Sequence, residues 1–128
     1  KIKGTIDRVD CYNGKIRVLD YKTGQVKKLG IMDWSLLAKE PDYGQARQVL
    51  IYAMLWNEEN PNQRADYAGI IALKGNQNGV AYVGEKPTIR SKVNKDLGAE
   101  QMLRATAMLT QTVQDAFNPD QPFNEPPA

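Results

Sequence analysis

The dipeptide Asn13-Gly14 constrains this chain more than any other feature. Both residue types tolerate the positive φ of a two-residue hairpin turn, and apolar and polar residues alternate on either side. A turn there predicts antiparallel strands over residues 1–12 and 15–22, with Tyr12 facing Lys15 and paired residue numbers summing to 27. Because side chains alternate with period two, that register assigns each one to a face. Val9 meets Val18, Cys11 meets Ile16 and Thr5 meets Lys22 on one surface; Asp10 meets Arg17 and Ile6 meets Tyr21 on the other. Asp10 and Arg17 form an ordinary cross-strand charge match. Asp7 opposite Asp20 does not, since facing Cβ atoms lie roughly 4.5–5.5 Å apart and like charges there destabilise. A divalent cation, or a raised pKa on one acid, relieves that cost. Lys22, two residues beyond Asp20, shares its face. Tyr21 is expected in the core against Ile6, and Cys11 as a small buried hydrophobe.

The remaining chain reads as an alternation of elements. Residues 25–43 form a long connection with a weakly amphipathic segment (Ile31, Met32, Trp34, Leu36, Leu37), capped by Asp33 or Ser35 and ended by Pro41. Residues 44–59 carry a helical stripe of Ala46, Val49, Leu50, Ala53, Met54 and Trp56, and Gln45, Gln48, Tyr52 and Leu55 line the adjacent face. Asn60-Pro61 stops that helix. Residues 66–74 suit a strand buried on both faces. A polar turn over 75–79 leads to a short strand at Val80–Val83. Residues 84–95 read as an irregular loop with an edge strand near Ile89. Asp96 is placed to cap a last helix over 97–117 with the stripe Met102, Ala105, Leu109, Val113, Ala116 and Phe117. The proline-rich 118–128 reads as an irregular tail. The order β-β-α-β-β-α predicts an α/β chain: a single domain over 1–128, with helices packed on a mixed sheet.

Composition narrows the chemistry. The chain has no histidine, which removes Ser-His-Asp and Cys-His catalysis and histidine-ligated zinc. Hydrolysis is left to carboxylates with a hard metal, plus Lys or Tyr. The single cysteine, Cys11, excludes an internal disulfide and an iron–sulfur cluster held by this chain alone, and fits a reducing compartment. No apolar run approaches the ~20 residues of a membrane span. A formal charge of +2 does not mark a nucleic-acid binder. DNA contacts would come from local clusters such as Lys1/Lys3, Lys27/Lys28 and Lys86/Arg90/Lys92/Lys95, which equally suit a solvated surface.

The stretches Gly4-Thr5-Ile6-Asp7-Arg8-Val9-Asp10, Leu19-Asp20-Tyr21-Lys22-Thr23-Gly24 and Gln48-Val49-Leu50-Ile51-Tyr52, in that order, resemble the three motifs of the PD-(D/E)XK nuclease superfamily in its RecB/AddB branch. The resemblance implies a restriction-endonuclease-like core and a Mg²⁺- or Mn²⁺-dependent, exonuclease-like deoxyribonuclease. It implies DNA as substrate, a helicase–nuclease context in double-strand break repair and recombination, and a bacterial-type cytoplasmic location. The family's core helix before the first strand has no counterpart here, and the chain, which begins at Lys1, reads as part of a longer polypeptide. There is no Gly-x-x-x-x-Gly-Lys-[Ser/Thr] loop, so a helicase motor is expected elsewhere in the polypeptide or on a partner. Some AddB-type relatives carry an iron–sulfur cluster, which this chain cannot build.

Mg²⁺ prefers oxygen ligands and keeps several waters. Asp7 and Asp20 suit it, with the Tyr21 backbone carbonyl as a third ligand. Lys22 is placed to hold the attacking water and stabilise developing negative charge. The family implies these roles for Asp7, Asp20 and Lys22, and a supporting, phosphate-positioning role for Gln48 and Tyr52. Singly, each residue also suits a plainer part: Asp-x-Lys a solvated strand edge, Tyr52 a core aromatic, Gln48 an exposed polar group, Arg8 either a phosphate contact or surface. Trp34 and Trp56 suit base stacking or core packing. Two other readings remain open: a nuclease fold that holds DNA or a partner without cutting, and a metal-free structural domain.

Overall fold

The hairpin closes where the turn chemistry requires. Asn13 and Gly14 have φ of 53° and 77°, both in the left-handed region that a two-residue turn demands. Strand β1 (Arg8–Tyr12) pairs antiparallel with β2 (Lys15–Lys22), and each pair from Arg8–Leu19 to Tyr12–Lys15 follows the expected register. Arg17 locks it with two 2.7 Å bonds to the Asp10 carboxylate, in the bidentate geometry that distinguishes arginine from lysine. This computed structural model describes residues 6–73 and 79–117, with side chains as far as Thr110. Thr5, the turn over 75–79 apart from Gly79, and the tail fall outside those residues, as do the side chains of Val113, Ala116 and Phe117.

After β2 the chain crosses over through helix α1 (Gly44–Glu59) and returns as β4 (Tyr67–Ala72), parallel to β2. Parallel neighbours need such a crossover, and it lays α1 over the sheet. β5 (Val80–Tyr82) adds antiparallel to β4, giving the order β1-β2-β4-β5. The architecture is mixed α/β with helices packed on a mixed sheet. Val18, Ala68, Ile70 and Val83 of the sheet region share one core with Ala46, Val49, Leu50 and Ala53 of α1 and with Met102, Ala105 and Leu109 of helix α2 (Ala99–Phe117). Full burial of a side chain such as Leu50 contributes roughly 1.5–3 kcal/mol.

The long connection is more structured than its sequence suggests. A two-residue strand β3 (Gly30–Ile31) pairs with β6 (Gly84–Glu85), a second small sheet not foreseen in the sequence. Asp33 caps a single 3₁₀ turn, Trp34–Leu36, as expected. Pro41, however, opens a second 3₁₀ turn, Pro41–Tyr43, because its fixed φ and missing N–H suit a first helical position. Arg47 then donates from Nη1 to the carbonyls of Leu37 and Glu40, tying the connection to α1.

Four further expectations are corrected. Ile89 is 77% exposed and lies in no strand; the pairing falls instead at Gly84–Glu85, where the chain passes beside Asn94. Helix α2 begins at Ala99, leaving Asp96 too far upstream to cap it, and Gly98 takes the capping place by accepting the Met102 N–H. Cys11 is exposed, one residue from the turn end of the edge strand β1. Tyr21 is 36% exposed rather than core, because the helices pack on the opposite face and Arg8 reaches its hydroxyl at 3.4 Å.

Candidate active site

Period-two alternation puts Asp20 and Lys22 on the helix-covered face of β2, and α1 brings Gln48 and Tyr52 above them. Lys22 Nζ lies 2.9 Å from Asp20 Oδ2 and donates to Gln48 Oε1 at 2.8 Å. Gln48 Nε2 donates to the Tyr52 hydroxyl at 3.0 Å, one helical turn on. An ammonium has only donors, so the amide oxygen must face Lys22 and the amide nitrogen Tyr52. The orientation of Gln48 thus follows from its two neighbours.

Asp7 lies just before β1, next to Asp20 as the register demands. Its Oδ2 accepts the Tyr21 N–H at 3.1 Å, and its carboxyl shares a hydrogen bond with Asp20. The two acids are driven apart in pKa. Burial, then the hydrogen bond with Asp7, pushes Asp20 up against the opposing pull of Lys22; Asp20 is only 4% exposed. The bond from Asp20, together with the Tyr21 N–H and Lys22, holds exposed Asp7 below the usual carboxylate value. The facing pair is thus relieved in the second of the two ways open to facing acids, a raised pKa on one of them.

The structure brings Asp7, Asp20, Lys22, Gln48 and Tyr52 together: an Asp20–Lys22 ion pair continues into two hydrogen bonds through Gln48 to Tyr52, and Asp7 lies beside Asp20 on the Tyr21 N–H. The Tyr21 carbonyl belongs to the same place. Backbone groups alternate sides along a strand, and Lys22 spends its carbonyl on Leu73 of the neighbouring chain segment, so the Tyr21 carbonyl turns toward the β1 side, where β1 stops at Arg8. Trp34 donates to Glu85 at 3.1 Å and Trp56 to the Gln63 carbonyl at 2.6 Å, and both pack on the core. Arg8 is engaged with Asp10 at 2.9 Å.

These residues suit a hard divalent cation of the Mg²⁺ type. Asp20 Oδ2 is buried with no aligned hydrogen-bond donor, an oxygen aimed at nothing but the Lys22 charge. Among the described residues no group of three or more His, Cys, Asp or Glu could hold a metal, so a cation here would rest on two carboxylates, a carbonyl and water. That set matches Mg²⁺, which keeps much of its hydration, better than Zn²⁺ or a many-liganded Ca²⁺.

One grouping escaped sequence reasoning. Lys27 and Lys28 on one side, and Lys86 and Lys95 on the other, line a single cleft. The lysines were visible as two separate clusters; only the β3–β6 pairing joins them.

Comparison with known families yields one finding. The model of the PD-(D/E)XK nuclease superfamily matches residues 1–127. Neither the curated proteins nor the solved structures provide a significant match. No helix among the described residues is long and apolar enough to cross a membrane.

Proposed function

This chain belongs to the PD-(D/E)XK nuclease superfamily, and on that premise we propose that it is a Mg²⁺-dependent deoxyribonuclease domain whose site is Asp7, Asp20, Lys22, Gln48 and Tyr52. The observation that carries this reading is the run of polar contacts from Asp20 through Lys22 and Gln48 to Tyr52, with Asp7 beside it and a buried oxygen of Asp20 that receives no hydrogen bond.

Each residue has a part that follows from its contacts. Asp7 and Asp20 offer anionic oxygens to a cation, with the Tyr21 carbonyl beside them. A bound Mg²⁺ supplies Lewis-acid polarisation of a phosphoryl oxygen and a more acidic water. Lys22 holds a water or phosphate oxygen with its remaining ammonium donor and stabilises negative charge as it develops. Gln48 fixes that ammonium, and Tyr52 fixes Gln48, so the charge is in place before substrate arrives.

The order and content of the three motif stretches support a place in the RecB/AddB branch, with exonuclease-like action on DNA ends, a role in break repair and recombination, and a helicase motor outside this chain. We also propose that 1–128 is one domain acting in a bacterial-type cytoplasm. A non-cleaving DNA-binding module is favoured by one observation: Lys22 already neutralises Asp20 at 2.9 Å.

Oligonucleotide cleavage with Mg²⁺ separates the two. Asp20→Asn and Lys22→Ala are each expected to abolish cutting while the protein still melts cooperatively, and Tyr52→Phe to be milder because it keeps the ring. Cleavage by Lys22→Ala at the wild-type rate would remove the proposed mechanism.

A further inference from the structure

Four lysines converge on a cleft of about 520 Å³ between the β3–β6 sheet and the β5 edge: Lys27, Lys28, Lys86 and Lys95, with Tyr43 and Tyr82 among the lining. No carboxylate lines it. Among the described residues, none of the four has an acidic partner within ion-pair distance; Glu85, the acid next in sequence to Lys86, is taken by Arg104 at 2.7 Å and by Trp34. In a chain of formal charge +2, so much uncompensated charge in one concavity is a concentration rather than an average.

The lysines are also held. Lys28 Nζ lies 5.8 Å from the Tyr43 ring centre, and Lys95 Nζ lies 5.0 and 5.1 Å from those of Tyr67 and Tyr82. The Lys86 stem lies flat on Gly30, where an added Cβ would stand 2.8 Å from its Cδ. Like charges held together in a cleft repel, and the arrangement gains when a polyanion fills it.

The cleft is tied to the nuclease site. Lys27 N–H donates to Gln45 Oε1 at 2.7 Å, and Gln45 donates back to the Gln25 carbonyl. Gln45 is three residues before Gln48 on α1, and Lys27 is five residues beyond Lys22. Five residues reach at most ~18 Å, about five base steps of a strand at 3.4 Å each. We propose that this cleft binds the sugar–phosphate backbone of the DNA substrate a few nucleotides from the scissile bond. The inference rests on the nuclease reading for its occupant.

The test measures binding without metal, so that it reads the cleft and not the chemistry. A fluorescein-labelled oligonucleotide duplex is titrated by anisotropy over a salt series with wild type, Lys28→Gln/Lys86→Gln, and the charge-matched control Lys15→Gln/Lys39→Gln. The cleft variant is expected to bind more weakly and to lose about 1.8 from the slope of log K against log salt, since each phosphate contact on duplex DNA contributes roughly 0.9. The control is expected to keep the wild-type slope, and Lys28→Arg/Lys86→Arg to restore it, which separates charge from misfolding. With Mg²⁺, the cleft variant should raise KM and leave kcat unchanged. Equal loss in cleft variant and control would overturn the proposal, as would lysine-dependent binding to phosphatidylserine vesicles with none to DNA. Loss of cleavage in wild type with cleft-dependent binding intact would count against the catalytic reading alone.

Discussion

Gln48 ties Lys22 to α1 by a side-chain hydrogen bond, and Gln48→Leu tests whether that tie serves the chemistry. The substitution keeps the volume and removes both hydrogen bonds, from Lys22 at 2.8 Å and to Tyr52 at 3.0 Å. A hydrogen bond to a charged group contributes roughly 1.5–3 kcal/mol. The Lys22 side chain is 26% exposed, so water replaces part of it and the stability cost should be about 1 kcal/mol. For a domain of this size that is a Tm drop of roughly 3–6 °C. The effect on cutting should be larger. An ammonium released from Gln48 is left on Asp20 alone and free to swing into solvent, and misplacing a reacting group by an ångström costs on the order of 10²-fold. The loss should appear in kcat, because the proposed mechanism has Lys22 act on charge that develops only in the transition state. Gln48→Glu is the matched control: a carboxylate still accepts from Lys22, and the Tyr52 hydroxyl can turn to donate to it. Steady-state cleavage of a labelled oligonucleotide with Mg²⁺, beside thermal melting of the same preparations, gives both numbers. A lowered Tm with kcat near wild type in Gln48→Leu would refute the reasoning and leave Gln48 a structural clamp.

Three other outcomes follow from the same geometry. Mg²⁺ or Mn²⁺ should raise the Tm by binding the native state, by about 2.7 kcal/mol of stability at a hundredfold excess over Kd, and Asp20→Asn should lose most of that response; a wild-type curve unmoved by metal would count against a cation site. Asp10 is held below the ordinary carboxylate value, first by its hydrogen bond to Arg17, so its contribution is present above the unfolded pKa and disappears as pH falls through the folded one. Urea midpoints from pH 6 to pH 2 should therefore fall more steeply in wild type than in Asp10→Asn, and parallel curves would contradict the assignment. Gly84→Ala should cost at least the roughly 1–3 kcal/mol of an overpacked site, since its Cβ would stand 1.8 Å from the Asn94 carbonyl oxygen, a backbone atom with little room to yield; chemical denaturation showing no loss would mean the loop over 84–95 repacks freely.

Much of the site was legible because it rests on local rules. A two-residue turn at Asn13-Gly14 admits one register, and that register alone placed Asp7 by Asp20, Lys22 on the same face and Asp10 by Arg17. The stripe of α1 follows from a 3.6-residue period, which also sets Gln48 and Tyr52 one turn apart. The errors were of another kind. Cys11 and Tyr21 have the composition and alternation of buried positions, yet which sheet face the helices cover depends on packing that no strand states by itself. Pro41 reads as a terminator or an initiator according to the backbone on either side. The β3–β6 pair consists of two residues each, too short for any periodicity to register.

The sequence by itself determined what local geometry controls: the hairpin register, the shared face of Asp20 and Lys22, the Gln48–Tyr52 spacing, and the exclusion of histidine chemistry. Tertiary structure alone decided what depends on distant segments meeting. It set the burial that raises the Asp20 pKa, the reach of Gln48 from α1 to Lys22, and the convergence of Lys27 and Lys28 with Lys86 and Lys95. Burial and charge density are properties of three-dimensional neighbourhoods, and residues more than fifty positions apart become neighbours only when the chain folds.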